Sequence, residues 1–147
     1  MHFEVNSVSK TRTRSLAKGA VAGLIGGLVA TAAKSAVERI YPPQKRRELA
    51  LANRTAVQES KHWGFGAAAG AAYGVAAEFY PAATSKQGAS FGMALIALKQ
   101  DNVLPALRLA AKPEVQSKRE HTSELASFVV YGVVTETVRR VVRRMIE

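Results

Sequence analysis

Small residues recur every four positions inside the apolar stretches of this chain. Gly19, Gly23 and Gly27 are followed in the same step by Thr31 and Ser35, and Gly66, Gly70 and Gly74 lead in the same step to Glu78. A step of four keeps residues on one slowly turning face of an α-helix. In water each interior glycine costs a helix roughly 1 kcal/mol relative to alanine. In lipid the same stripe lets two backbones pack closely. The pattern therefore predicts helices packed through glycine, at Gly19, Gly23, Gly27, Gly66, Gly70 and Gly74, at the further four-step pair Gly88 and Gly92, and at Gly132.

Charge is segregated from these stretches, so a mean hydropathy of −0.03 conceals the pattern. Lys18 and Lys34 enclose fifteen uncharged residues, Trp63 to Ala77 is another fifteen, and Gln87–Leu98 and Leu125–Thr135 are also uncharged. Each run falls short of the roughly 20 residues that cross a hydrocarbon core about 30 Å thick. Lys18, Lys34 and Lys61 stand at run ends, where long basic side chains reach the headgroups. Tyr41, Trp63 and Tyr80 stand where an aromatic belt is expected.

The expected fold is all-α, a small polytopic membrane helix bundle of three or four spans. A basic tail, 1–14, precedes a helical region, 15–140, and a basic amphipathic end, 141–147. The first helix, 15–41, stops at Pro42-Pro43, which cannot continue it. A charged stretch, 44–61, leads to a second helix, 62–80, ended by Pro81. A polar loop, 82–87, leads to a broken or re-entrant segment, 88–111, and a charged loop with Pro113 leads to a last helix, 122–140. Lys10, Arg12 and Arg14 before the first apolar run also resemble the start of a signal peptide. The small-residue stripe running on through Thr31 and Ser35 favours a retained helix.

Tyr73-Gly74-Val75, followed after two residues by Glu78, returns 58 positions later as Tyr131-Gly132-Val133 with Glu136. This echo fits two tandem helical hairpins in which the second and fourth helices point the same way.

Glu78 and Glu136 are the candidate chemical groups. Each lies four residues after a glycine on the same helix face. Carboxylates at membrane depth face the bundle interior, pair, or mark an ion path. Burial raises a carboxyl pKa and would allow a proton-linked role. Pairing with Arg139 and Arg140, three and four residues after Glu136, gives the structural reading. Lys34 and Glu38 read as an interfacial pair. His62 and His121 precede their helices and complete the proton-linked or pairing candidates.

The chain has no cysteine, so disulfides and thiol chemistry are excluded. No metal-ligand spacing, phosphate loop or nucleophile elbow occurs. No cofactor, metal or catalytic residue is expected, and the chain does not read as an enzyme. The net charge of +10 flanks the apolar runs and does not form an aromatic-interleaved stripe, which argues against a nucleic-acid partner. Arg139, Arg140, Arg143 and Arg144 share one helix face, with Val138, Val141, Val142 and Met145 on the other. Such a helix suits contact with anionic lipid. Discounting long loops, the basic residues favour both termini in the cytoplasm.

The ordered pieces Lys18-Gly19 to Gly27, Tyr41-Pro42-Pro43, His62 with Gly66, Ala72-Tyr73-Gly74 to Glu78 and Pro81 are matched further on by Gly88 to Gly92 and Leu104-Pro105-Ala106-Leu107. Ser123-Glu124 to Tyr131-Gly132, Glu136 and Arg139-Arg140 complete them. In these the chain resembles the bacterial family of unknown function that includes the inner-membrane protein YagU. It departs at Lys99-Gln100-Asp101-Asn102, where the family often carries a histidine. The resemblance implies a multi-pass inner-membrane protein associated with acid tolerance, with no established catalytic residues. The leading expectation is a non-enzymatic integral component of the bacterial inner membrane. Its partners would be a bilayer with anionic lipids and a second copy or other membrane proteins. The alternatives are a small proton-coupled transporter or channel using Glu78 and Glu136, and a soluble or peripheral basic helical protein that binds anionic partners.

Overall fold

The computed structural model describes residues 2–40, 56–100 and 118–147, and all regular structure among them is helical. The elements are α1 (His2–Ile40), α2 (Ala56–Phe79), a 3-10 segment (Pro81–Gly88), α3 (Ala89–Gln100) and α4 (Lys118–Met145). At a rise of about 1.5 Å per residue, α1 is roughly 58 Å long, α2 roughly 36 Å and α3 only about 18 Å. Over Val8–Ile40, α1 is long and apolar enough to cross a membrane; it is the one described helix that meets that test.

The helices are longer than their uncharged centres suggest. No glycine or proline precedes Gly19, so nothing in 1–14 stops α1, and the expected basic tail is helical from His2. Six residues upstream of His62 belong to α2, and α4 runs on through the basic end to Met145. The expected polar loop 82–87 is a kinked 3-10 segment, opened by Pro81. Of the expected broken segment 88–111, the part beyond Gln100 lies outside the described residues, as do Pro42-Pro43 and most of the charged stretch 44–61.

Neighbouring helices alternate in direction. Gly19 faces Gly74 and Gly27 faces Gly66, so α1 and α2 are antiparallel. Gly26 meets Thr135 while Ser15 meets Arg143, so α4 is antiparallel to α1 on its other flank. Gly88 and Gly92 lie against Gly132 and Phe128, which sets α3 antiparallel to α4. Hence α2 and α4 run parallel, with α1 packed against both.

The backbones touch along these seams. A methyl carbon built on Gly23 would lie 2.8 Å from Gly74 Cα, and one on Gly70 would lie 2.6 Å from Gly27 Cα. One on Gly26 would lie 2.6 Å from the Thr135 carbonyl oxygen, and one on Gly132 would lie 2.7 Å from Gly92 N. No real side chain sits so close to backbone, so the observed spacing needs hydrogen at each position. Thr31 continues the α1 stripe and returns its hydroxyl to the Gly27 carbonyl at 2.8 Å, which hides an otherwise unpaired polar group.

The glycine seams of α1–α2 and α3–α4 repeat the same contact. Gly19 stands to Gly74 as Gly88 stands to Gly132, 58 residues on from Gly74. The repeat breaks between the pairs. Ala22 and Gly26 let α1 close on α4, whereas bulky Phe91 keeps α3 away from α2 and stacks on Tyr73 with centroids 4.2 Å apart. The buried core is small: Ala30, Leu95, Ile96, Phe128 and Tyr131.

Candidate functional site

Two parallel helices carry a carboxylate at the same end of the bundle. Gly132, Glu136, Arg139 and Arg143 step by four, three and four, so all four lie on one face of α4. Gly74 and Glu78 repeat the spacing on α2. The glycine seams then bring α1 within reach, since a methyl on Gly19 would touch Glu78 Cγ at 2.5 Å.

Glu136 is 1% exposed. Arg139 grips it with two hydrogen bonds, Nε to Oε2 at 2.8 Å and Nη2 to Oε1 at 3.0 Å. Arg140 adds a third donor to Oε1. Tyr73 on α2 supplies a fourth, its hydroxyl lying 2.8 Å from Oε2. A buried carboxylate is tolerable only when paired and hydrogen-bonded in this way.

Glu78 is held from the opposite helix. Arg143 donates from Nε to Oε1 at 2.8 Å and from Nη2 to Oε2 at 3.2 Å, a two-pronged guanidinium–carboxylate pair. Ser15 on α1 donates to Glu78 Oε2 at 2.5 Å and accepts from Arg143 Nη2 at 3.3 Å. Arg139 Nη1 lies 4.0 Å from Glu78 Oε1 and links the two pairs. One charged network thus ties α1, α2 and α4 together.

The arrangement can clamp helices. Its two hydroxyls, on Ser15 and Tyr73, donate to carboxylates that arginine also holds, and each carboxylate faces guanidinium, which stabilises the charged form. Among the described residues no three of His, Asp and Glu gather to hold a metal ion.

The two candidate histidines, His62 and His121, lie elsewhere. His62 is 3.4 Å from Ser35 Oγ, at the opposite end of α2 from Glu78, and His121 is half-buried in the first turns of α4. That end has its own pairs, Lys34 with Glu38 and Lys99 with Glu124, and the Lys34 ammonium lies 4.8 Å from the centre of the Phe128 ring. The four predicted candidates are therefore split between two ends, too far apart to act as one relay. The expected lipid-contact set is split as well. Arg139 and Arg143 turn inward, Arg140 reaches Glu136 with its side chain half exposed, and Arg144 faces outward. Of the predicted packing positions, all nine meet a neighbouring helix or side chain, whereas Gly64, outside that set, meets open space.

Sequence reasoning missed Ser15 and Tyr73, and it set Arg143 against lipid and not against Glu78. For Arg143 a signal existed. It stands seven residues after Glu136, two helical turns along the same face, at the level Glu78 reaches on a parallel helix.

A family comparison matches residues 51–137, more than half of the chain. The chain belongs to the DUF1440 family, a family of unknown function. The DUF1440 match takes in α2, the 3-10 segment, α3 and α4 as far as Thr137, and leaves α1 outside it. It names no activity, no cellular location and no tie to YagU. No curated protein and no solved structure matches the chain.

Proposed function

We propose that this DUF1440 chain is a multi-pass, non-enzymatic protein of the bacterial inner membrane, with α1, α2 and α4 crossing the bilayer and α3 packed against them. The observation that carries this reading is an inverted distribution of polarity. Between Lys18 and Lys34 the exposed residues of α1 are Val21, Leu24, Ile25, Val29 and Ala32. The exposed positions along the middle of α2 are Ala68, Ala72 and Ala76, and those of α3 are Met93, Ala94, Ala97 and Leu98. Glu136 and Arg139 are buried. A water-soluble bundle places its charges the other way round. Lipid accepts an apolar exterior, and glycine seams and interhelical hydrogen bonds are what hold helices together there.

Exposed aromatics support the same reading. Trp63, two turns into α2, and Tyr80, just past its last residue, stand about 25 Å apart along the axis, as interfacial belts require. Arginine on both Glu78 and Glu136 favours a structural clamp over a proton path. The link to acid tolerance rests on the family resemblance.

Alkaline carbonate extraction tests the proposal. The chain is expected in the membrane pellet, with Ile25→Cys shielded from a membrane-impermeant maleimide and Ala82→Cys labelled from one side. Release by carbonate, together with a folded monodisperse protein in plain buffer, would overturn it.

A further inference from the structure

The bundle end that holds Glu78 and Glu136 also gathers cations from segments far apart in the chain. The Arg12 guanidinium lies over the Phe79 ring, 4.9 Å from its centre. Lys18 donates to the Glu147 carbonyl at 3.2 Å, and Arg143 reaches Ser15. The N-terminal turns of α1, the end of α2 and the last turns of α4 therefore meet at one end, with Lys86 on the connection beside them. Arg12, Arg14, Lys86, Arg140 and Arg144 are exposed there. Glu78 and Glu136 are not. Glu136 is buried, Glu78 faces Arg143, and the exposed Glu147 lies 3.9 Å from that same arginine. Pairing inside the bundle thus leaves the outer surface of this end strongly positive.

That surface is also apolar in part. Phe79 is 50% exposed and Tyr80 67%, and an open cleft of about 390 Å³ is lined by Val8, Thr11, Arg12 and Ser15.

We infer that this end is a docking surface for the anionic phospholipid headgroups of one leaflet, with Arg12 and Arg14 of α1 and Arg140 and Arg144 of α4 facing phosphate. The inference rests on the membrane reading above and names the lipid partner. The cations are spread over three segments, which suits a charged surface better than one small ion. Guanidinium forks match phosphate oxygens. Phe79 and Tyr80, beside Arg12, need an apolar neighbour that a soluble anion lacks and an acyl boundary supplies. Arg139 and Arg143 share the α4 face but are largely buried against Glu136 and Glu78, so they fall outside the surface, whereas Arg140 reaches Glu136 and still leaves 47% of its side chain exposed.

The test uses the full chain in neutral detergent, titrated with dioleoylphosphatidylglycerol or dioleoylphosphatidylcholine. Lipid retention is read by native mass spectrometry and the melting midpoint by circular dichroism. The glycerol lipid is expected to be retained and to raise the midpoint, and the choline lipid to do neither. Arg14→Gln with Arg144→Gln touches no internal pair and is expected to cut that preference by about fivefold or more. Arg39→Gln with Lys61→Gln, at the opposite end, is expected to keep it. Equal retention of both lipids, equal loss in the two double variants, or the same midpoint rise with inorganic phosphate alone would overturn the inference. Carbonate extraction of the same chain separates the two conclusions. A chain that stays in the pellet without lipid preference removes this surface only, and a chain that is released removes both.

Discussion

Tyr73 on α2 donates its hydroxyl hydrogen to Glu136 on α4, 2.8 Å away, while Tyr131 on α4 donates to the Gly66 carbonyl on α2 at 2.7 Å. The two residues are equivalent in the Tyr-Gly-Val echo and equally buried, at 3% exposure each. Each reaches across to the other's helix, so the repeat is used to tie α2 to α4 at two levels.

The two bonds differ in what they satisfy. Glu136 is a buried anion, and a hydrogen bond to a charged group contributes about 1.5–3 kcal/mol against about 1 for a neutral one. The Gly66 carbonyl already sits in a helix. Tyr73→Phe is therefore expected to lower stability more than Tyr131→Phe, by about 1 kcal/mol, in chemical unfolding of the detergent-solubilised chain. Equal losses would show that the hydroxyl on Glu136 adds nothing beyond an ordinary bond.

The Glu78–Arg143 pair makes a second prediction. Their side chains are 13% and 19% exposed, so neither is well solvated once its partner is gone. Glu78→Gln and Arg143→Gln are each expected to destabilise, and the double variant less than their sum, with a coupling of about 1–3 kcal/mol. Ser15→Ala, which removes one donor to the same carboxylate, is expected to cost about 1 kcal/mol. Strict additivity of the Glu78 and Arg143 effects would mean that the pair is not an energetic unit.

These residues also mark how far the sequence could be read. Helices and their directions were readable because alternation follows from four apolar runs separated by proline or charge. The same alternation gives α2 and α4 a common direction, which the Tyr-Gly-Val echo fits. The spacing of Glu136, Arg139 and Arg140 lies within one helix, so local geometry pointed to their contact. The partner of Glu78 is 65 residues away, and its choice depends on how deeply the glycine seams let α1 and α2 slide together. No local rule contains that distance. The same holds for the split of Arg139 and Arg143 from Arg140 and Arg144: a helical wheel puts all four on one side, and the placement of Glu136 and Glu78 turns Arg139 and Arg143 inward.

The 3-10 segment supplies a third prediction. Lys86 and Gln87 have φ of 52° and 54°, and Gly88 has φ of 85°. A left-handed backbone is costly for residues with a Cβ, and three in succession reverse the chain direction before α3. Gly88 is doubly constrained, since a methyl there would also lie 2.7 Å from Glu136 Cβ. Gly88→Ala is expected to lose about 2–4 kcal/mol, strain and contact combined. Gln87→Gly relieves strain without a new contact and is expected to be neutral or mildly stabilising. A Gly88→Ala variant with unchanged unfolding would contradict the geometry of this turn.

One added methyl group separates packing from helix propensity. Gly23 and Gly64 both lie inside long helices, so alanine improves local propensity at either by up to about 1 kcal/mol. Their surroundings are opposite. At Gly64 the new carbon meets nothing within 4 Å, whereas at Gly23 it would lie 2.8 Å from Gly74 Cα, part of a backbone held on both sides. Gly64→Ala is therefore expected to raise stability slightly. Gly23→Ala is expected to lower it by about 1–3 kcal/mol as α1 is forced off α2. Since Ser15 reaches Glu78 only while that seam is closed, Gly23→Ala should also weaken the charged network. The coupling measured between Glu78 and Arg143 then reports on α1. If α1 merely rests on the bundle, the two alanine variants will behave alike and the coupling will not change. If the glycine seam sets the depth of the contact, the same methyl will act with opposite sign at the two sites.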